Sequence, residues 1–199
     1  HKKSLLTASY ISDEMNALGL EAKRKGIIFM NEIGLDPGID HMSAMKIIDK
    51  IKDEGNELVM FKSYTGGLIA PESDNNLWNY KFTWNPRNVV LAGQGGDAKF
   101  IEENKKKQIP YSRLFMNTEA LEIDEYGSFE AYPNRDSLKY RSIYKLDNIS
   151  TILRGTIRRA GFSKAWNVFV SLGMTDDNYS IKNSYMMSYS NYVDSFLLS

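Results

Sequence analysis

Four short segments of this chain concentrate side chains able to bind or move charge. Thr7-Ala8-Ser9-Tyr10 carries hydroxyl groups that could contact ligand or phosphate oxygens. The same residues suit turn and cap chemistry. Gly34-Leu35-Asp36-Pro37-Gly38-Ile39-Asp40-His41 sets a carboxylate before a proline. Proline is favoured at the first helical position, so Asp36 is expected to cap a helix. Its second oxygen could still meet an amine or a reacting proton. His41 is expected one turn from Asp36, either as a secondary acid/base group or as an ordinary helix histidine. Tyr132-Pro133-Asn134-Arg135-Asp136-Ser137 presents Arg135 from a turn. That guanidinium could pair with Asp136 or hold a carboxylate in a bidentate fork. Finally, Arg154-Gly155-Thr156-Ile157-Arg158-Arg159 places arginines on a β-like run, and alternation sets Arg154, Thr156 and Arg158 on one face. Two guanidinium groups and a hydroxyl suit a ligand with several carboxylates. An edge strand protected by charge accounts for the same pattern.

The surrounding sequence supplies elements to position these groups. Ser4–Ala8 reads as a strand. Ser12 is a good N-cap for a helix that Gly26 stops, and Ile27–Asn31 has a buried-strand pattern. Strand–helix–strand is the unit of a parallel sheet. A helix is expected from Pro37 to Gly55, with Asp36 at its mouth, and ligands of open α/β sheets bind at such strand ends. Leu58–Tyr64, Asp97–Glu102, Gly127–Tyr132 and Ile149–Arg158 read as further strands, and Pro71–Asn79 as a polar loop. Asn85 before Pro86 starts another helix. Gly93–Gly96 reads as a flexible loop and Glu103–Gln108 as a charged hairpin tip. A helix runs from Ser163 to Gly173. The tail from Tyr179 could form an amphipathic helix, though its apolar face has no evident partner.

Composition excludes several classes of function. Lys plus Arg equals Asp plus Glu, 25 each, so the basic excess that drives non-specific nucleic-acid binding is missing. With no Cys there is neither disulfide nor thiolate chemistry. With only two His, no His-rich metal site and no metal are expected. No apolar run nears the roughly 20 residues that span a bilayer, and no signal peptide is expected from the opening His1-Lys2-Lys3. A cytoplasmic setting is expected, and the absence of a starting Met suggests a fragment. Neither GxGxxG nor GxxxxGK[ST] occurs, and one internal His supports no Ser–His–Asp order.

In chain order, Thr7–Ser12, Asn31–His41, Ser63–Leu68, Tyr80–Trp84, Tyr132–Ser137 and Arg154–Arg158 resemble the L-glutamate-forming saccharopine dehydrogenase family, whose module also occurs in aminoadipic semialdehyde synthase. The resemblance implies an α/β fold. Residues 1–35 would be the end of a Rossmann nucleotide-binding domain. Residues 36–174 would be a mixed-sheet domain for substrate binding and dimerisation, and 175–199 the start of a helical region or a disordered tail. It implies oxidation of saccharopine with NADP or NAD and water to L-glutamate and 2-aminoadipate 6-semialdehyde, in a homodimer of lysine metabolism. The Gly-rich nucleotide loop would lie upstream, so the chain alone is expected not to turn over saccharopine. By the same resemblance Asp36 and Tyr10 would be catalytic. Ser9, Tyr10, Asp36, Arg135, Thr156, Ile157 and Arg158 would bind substrate. Ala8, Ser9, Leu35, Asp36, Pro37 and Asn85 would line the cofactor, Asn85 standing where the family commonly has Ser. The rival readings are a non-catalytic dimerisation or regulatory module, and a dehydrogenase of another amino dicarboxylate.

Overall fold

The apolar runs of the first thirty residues are short, and so are the strands they form. The computed structural model describes residues 2–92 and 96–197. It divides into two compact units, residues 1–58 and 59–199. In the first unit, β1 (Leu5–Leu6) pairs in parallel with β2 (Phe29–Met30). Between them Ser12 caps α1 (Asp13–Ala17), its hydroxyl accepting from the Met15 amide at 3.2 Å. The expected single helix is two. Leu18 ends α1 and α2 (Gly19–Arg24) follows. β2 is not buried as its pattern suggested, since Met30 is exposed.

The unit closes with α3 (Ile39–Asp53), and here one expectation fails. Asp36 does not cap α3, and Pro37 is not its first residue. The Pro37 carbonyl is taken by the Gly34 amide at 2.9 Å, so the helix cannot begin until Gly38 has turned the chain. Asp40 Oδ1 then accepts from the Gly38 amide at 2.7 Å.

The second unit is built on a six-stranded mixed sheet. Its strands are β3 (Met60–Thr65), β4 (Ala98–Glu102), β5 (Lys105–Ile109), β6 (Glu119–Ile123), β7 (Gly127–Pro133) and β8 (Thr151–Arg159). β8 runs parallel to β3 and antiparallel to β4 and β7, while β5 and β6 lie outermost on their paths. The arginine-bearing strand is therefore central, and its charges do not protect an edge. That role falls to β5, where Lys105, Lys106 and Lys107 are exposed. Glu103–Gln108 is thus mostly strand, with the turn confined to Glu103-Asn104, both at positive φ. The sequence reading missed β6 altogether.

Helices α4 (Pro86–Val90), α5 (Tyr111–Leu114), α6 (Tyr140–Ile143) and α7 (Phe162–Ser171) close over this sheet, and α8 (Tyr189–Asp194) follows in the tail. Asn85 caps α4 as expected, accepting from the Arg87 amide at 3.0 Å. Tyr80, Val89, Ala98, Leu114, Phe115, Tyr132, Phe162 and Trp166 form the core. Burying such aromatic rings contributes about 2–3 kcal/mol each. The tail finds its apolar contact within itself, as Phe196 packs on Tyr179 and Tyr192. The Gly93–Gly96 loop lies mostly outside the described residues.

Candidate functional site

In the first unit, the segment after β1 meets the segment after β2. The Tyr10 hydroxyl donates to Asp36 Oδ1 at 2.7 Å. Freed from capping, Asp36 is positioned by a phenol instead. Ser9 receives a hydrogen bond from Thr7 Oγ1 at 3.2 Å, and its carbonyl accepts from the Glu32 amide at 3.0 Å. Ala8 packs tightly on Gly34, where an added Cβ would lie 3.0 Å from the Ala8 methyl. Leu35 is 69% exposed beside Asp36, while Pro37 is buried. The strand ends thus gather Ala8, Ser9, Tyr10, Leu35, Asp36 and Pro37. His41 lies in the first turn of α3. Its ring nitrogens lie 3.7 Å from Glu32 and 3.7 Å from Asp40.

In the second unit, β8 sets out the arginines. The pleat turns Arg154, Thr156 and Arg158 to one face and Ile157 to the other. Arg154 lies 4.1 Å over the Tyr140 ring. Its own backbone is fixed by the buried Ser137, whose hydroxyl accepts from the Arg154 amide at 2.8 Å. Arg158 is 9% exposed. Its guanidinium carbon sits 5.0 Å from the Tyr80 ring centroid and 5.2 Å from that of Phe162. Those rings come from the loop before α4 and from the first turn of α7. Gly66 forms another wall. A Cβ there would lie 2.1 Å from the Ile157 carbonyl oxygen and 3.1 Å from Arg158 Nη1. Only glycine permits that approach.

Arg158 is a buried cation without a buried anion. Among the described residues no carboxylate forms an ion pair with it, and its Nε has no hydrogen-bond partner. Glu130 stands opposite Arg158 in the β7–β8 register, but its carboxylate accepts from the Ser163 amide in the first turn of α7. Aromatic rings flank Arg158. Tyr132 is paired with Thr156 across the ladder and so lies on the same sheet face as Arg158. Burial pushes the Tyr132 hydroxyl up to about 12, with the Arg158 charge pulling the other way. Burial likewise raises Tyr80, opposed by Arg158, and Tyr111, opposed by its bonds with Trp166 and Thr175. All three phenols are protonated at neutral pH. Sequence reasoning missed Tyr80, Tyr132 and Phe162 as neighbours of Arg158.

Arg135 follows β7 at positive φ (53°), and its carbonyl accepts from the Lys99 amide at 2.8 Å. The preceding Asn134 amide donates to the Arg154 carbonyl at 2.9 Å, which ties this turn to β8. Asp136 caps the next turn, accepting from the Leu138 amide. Asn85 spends its side-chain oxygen on α4. The opposite sheet face carries Tyr64, which donates to Glu119 at 2.8 Å, while Lys62 bonds the same carboxylate. The Lys62 hydrogen bond chiefly holds Glu119 below the ordinary carboxylate range. Among the described residues no group of three or more His, Cys, Asp or Glu could hold a metal, and no helix is long and apolar enough to cross a membrane.

Residues 34–196 match the family model described as the saccharopine dehydrogenase C-terminal domain. The saccharopine dehydrogenase [NADP(+), L-glutamate-forming] of Pyricularia oryzae is 42% identical over 176 residues, covering 88% of this chain and 39% of that protein. The mitochondrial alpha-aminoadipic semialdehyde synthase of Rattus norvegicus is 42% identical over 175 residues, 87% of this chain and 19% of its own length. Among solved structures, the apo histidine-tagged saccharopine dehydrogenase (L-Glu forming) from Saccharomyces cerevisiae superposes with a TM-score of 0.77 at 39% identity. That match covers 89% of this chain and 40% of that one. The chain therefore spans about two fifths of the fungal relatives it matches.

Proposed function

The chain belongs to the saccharopine dehydrogenase C-terminal domain family, and from that premise we propose that it forms the substrate-binding section of an NAD(P)-dependent saccharopine dehydrogenase. The observation that carries the reading is Arg158. A guanidinium buried among aromatic rings without a protein carboxylate is costly. A ligand carboxylate would remove that cost and gain a bidentate partner. Saccharopine has three carboxylates, and Arg135 is the residue we assign to a second.

The other roles follow the chemistry of each unit. Asp36 takes or holds the proton of the substrate amine or of the attacking water, and the Tyr10 hydroxyl fixes its carboxylate. Ser9 and the Thr156 hydroxyl offer hydrogen bonds to polar substrate atoms, with Ile157 alongside. Ala8, Ser9, Leu35, Asp36 and Pro37 suit one wall of a nicotinamide nucleotide, because an exposed leucine and a hydroxyl stand together at parallel strand ends. Bound there, the oxidised cofactor would accept a hydride. Asn85 keeps its amide nitrogen to donate. We read residues 1–35 as the end of the nucleotide-binding domain, 36–174 as the substrate domain and 175–199 as the start of a further region. A homodimer is part of the same reading, and the exposed Leu77, Phe82 and Trp84 would suit such a contact. Sedimentation of the chain tests it, a monomer at all concentrations being the adverse result.

Titration calorimetry tests the substrate assignment. The chain should bind saccharopine, and Arg158→Gln should abolish the heat. Equal binding by wild type and variant would refute the role given to Arg158.

A further inference from the structure

Residues that face each other across an antiparallel ladder sit close enough for opposite charges to pair. Glu130 and Arg158 face each other in the β7–β8 register. Both side chains are long, yet among the described residues no ion pair joins them. Glu130 is engaged elsewhere. Its Oε1 accepts from the Ser163 amide in the first turn of α7. That helix needs an acceptor from outside. Gly161 stands at its N-cap with φ 96° and no side chain, so the cap residue supplies no side-chain hydrogen bond. The first amides of a helix have no partner within it and carry partial positive charge. The half-buried Glu130 carboxylate answers both needs. Ser163 contributes its amide alone, because its buried Oγ has no partner. Arg158 meanwhile keeps an unpartnered Nε, and its Nη1 reaches the Ile157 carbonyl at 3.4 Å.

Resting on the reading above, we propose that Glu130 is a positioning residue for substrate binding. α7 holds its carboxylate away from Arg158, and that leaves the guanidinium open to a ligand carboxylate. Without the hold, Glu130 would pair with Arg158 and compete with the ligand. The same turn of α7 supplies Phe162, whose ring centroid lies 5.2 Å from the Arg158 guanidinium carbon. One turn of helix thus flanks the cation and withdraws its partner on the ladder.

Ser163→Pro deletes the amide proton, and proline is tolerated in a first helical turn. Calorimetry with saccharopine on the full 199-residue chain should show binding weakened about tenfold, the usual scale for a hydrogen bond to a charged group. Adding Glu130→Gln to that variant removes the competing charge and should restore the affinity. Damage to the fold would not be repaired in this way. Equal affinity of Ser163→Pro and wild type would overturn the proposal while leaving the Arg158 reading intact, and so would a loss that Glu130→Gln does not repair. Absence of binding by wild type would overturn both. Should Ser163→Pro fail to fold, the Ser163 amide proton resonance decides the matter. It should move upfield in the single variant Glu130→Gln, where a charged acceptor becomes a neutral one. A resonance left in place would overturn the proposal.

Discussion

Replacing Arg158 with Met should make the unliganded chain more stable and deaf to its ligand. The reasoning starts from burial. Arg158 is 9% exposed, lies between Tyr80 and Phe162, and has no carboxylate partner among the described residues. A buried unpaired charge costs several kcal/mol after relaxation. Against this, Met gives up two cation–π contacts of about 1 kcal/mol each. Met also refills the space with an unbranched thioether suited to ring edges. The balance is a gain of about 1 kcal/mol, which in a chain of this size raises Tm by about 2–4 °C. Thermal unfolding followed by circular dichroism reads that shift directly. The second half of the assay adds saccharopine. At 100 times Kd, wild type should gain about 2.7 kcal/mol, or about 5–10 °C, and the variant nothing. A variant that melts lower than wild type yet still shifts with saccharopine would refute the reasoning on both counts.

Other consequences are simpler to state. Gly66→Ala forces a methyl to within 2.1 Å of the Ile157 carbonyl oxygen, so stability should fall by about 1–3 kcal/mol in denaturant titration. Gly155→Ala meets the Tyr132 carbonyl oxygen at 2.6 Å and the Tyr64 ring at 2.7 Å, and a loss of similar size is expected. Asn85→Ala removes the α4 cap and should cost about 1 kcal/mol in the same measurement. Tyr132 ionises near 10 when unfolded and near 12 when folded. Its raised folded value means that stability is fully present below pH 10 and declines as pH rises toward 12. Tyr132→Phe should flatten that decline in unfolding curves taken across this window.

Much of the architecture was legible because local rules and the fold agree. Ser12 and Asn85 announce helix starts that their side chains do cap, and alternation along Thr151–Arg159 placed Arg154 and Arg158 together. Two strands were harder to read for a physical reason. β5 lies at an edge and is mostly lysine, so the composition that protects it from pairing also hides it. β6 is an outer strand that shows only Leu121 and Ile123 as apolar alternation. The proline before Gly38 misled because a first-turn preference says nothing of competing hydrogen bonds. The Gly34 amide takes the Pro37 carbonyl, and that frees Asp36 for Tyr10. The surroundings of Arg158 were invisible for a different reason. Tyr80, Tyr132 and Phe162 are far apart in the chain and meet only because β7, β8 and α7 fold together. A sequence can point to the arginine, but only tertiary structure shows that its surroundings lack an anion.

The most direct measurement is a crystal structure of the chain grown with saccharopine. One carboxylate should lie within hydrogen-bonding distance of the Arg158 guanidinium, between the Tyr80 and Phe162 rings, with Tyr132 beside it. Saccharopine bound with no carboxylate at Arg158 would contradict the account.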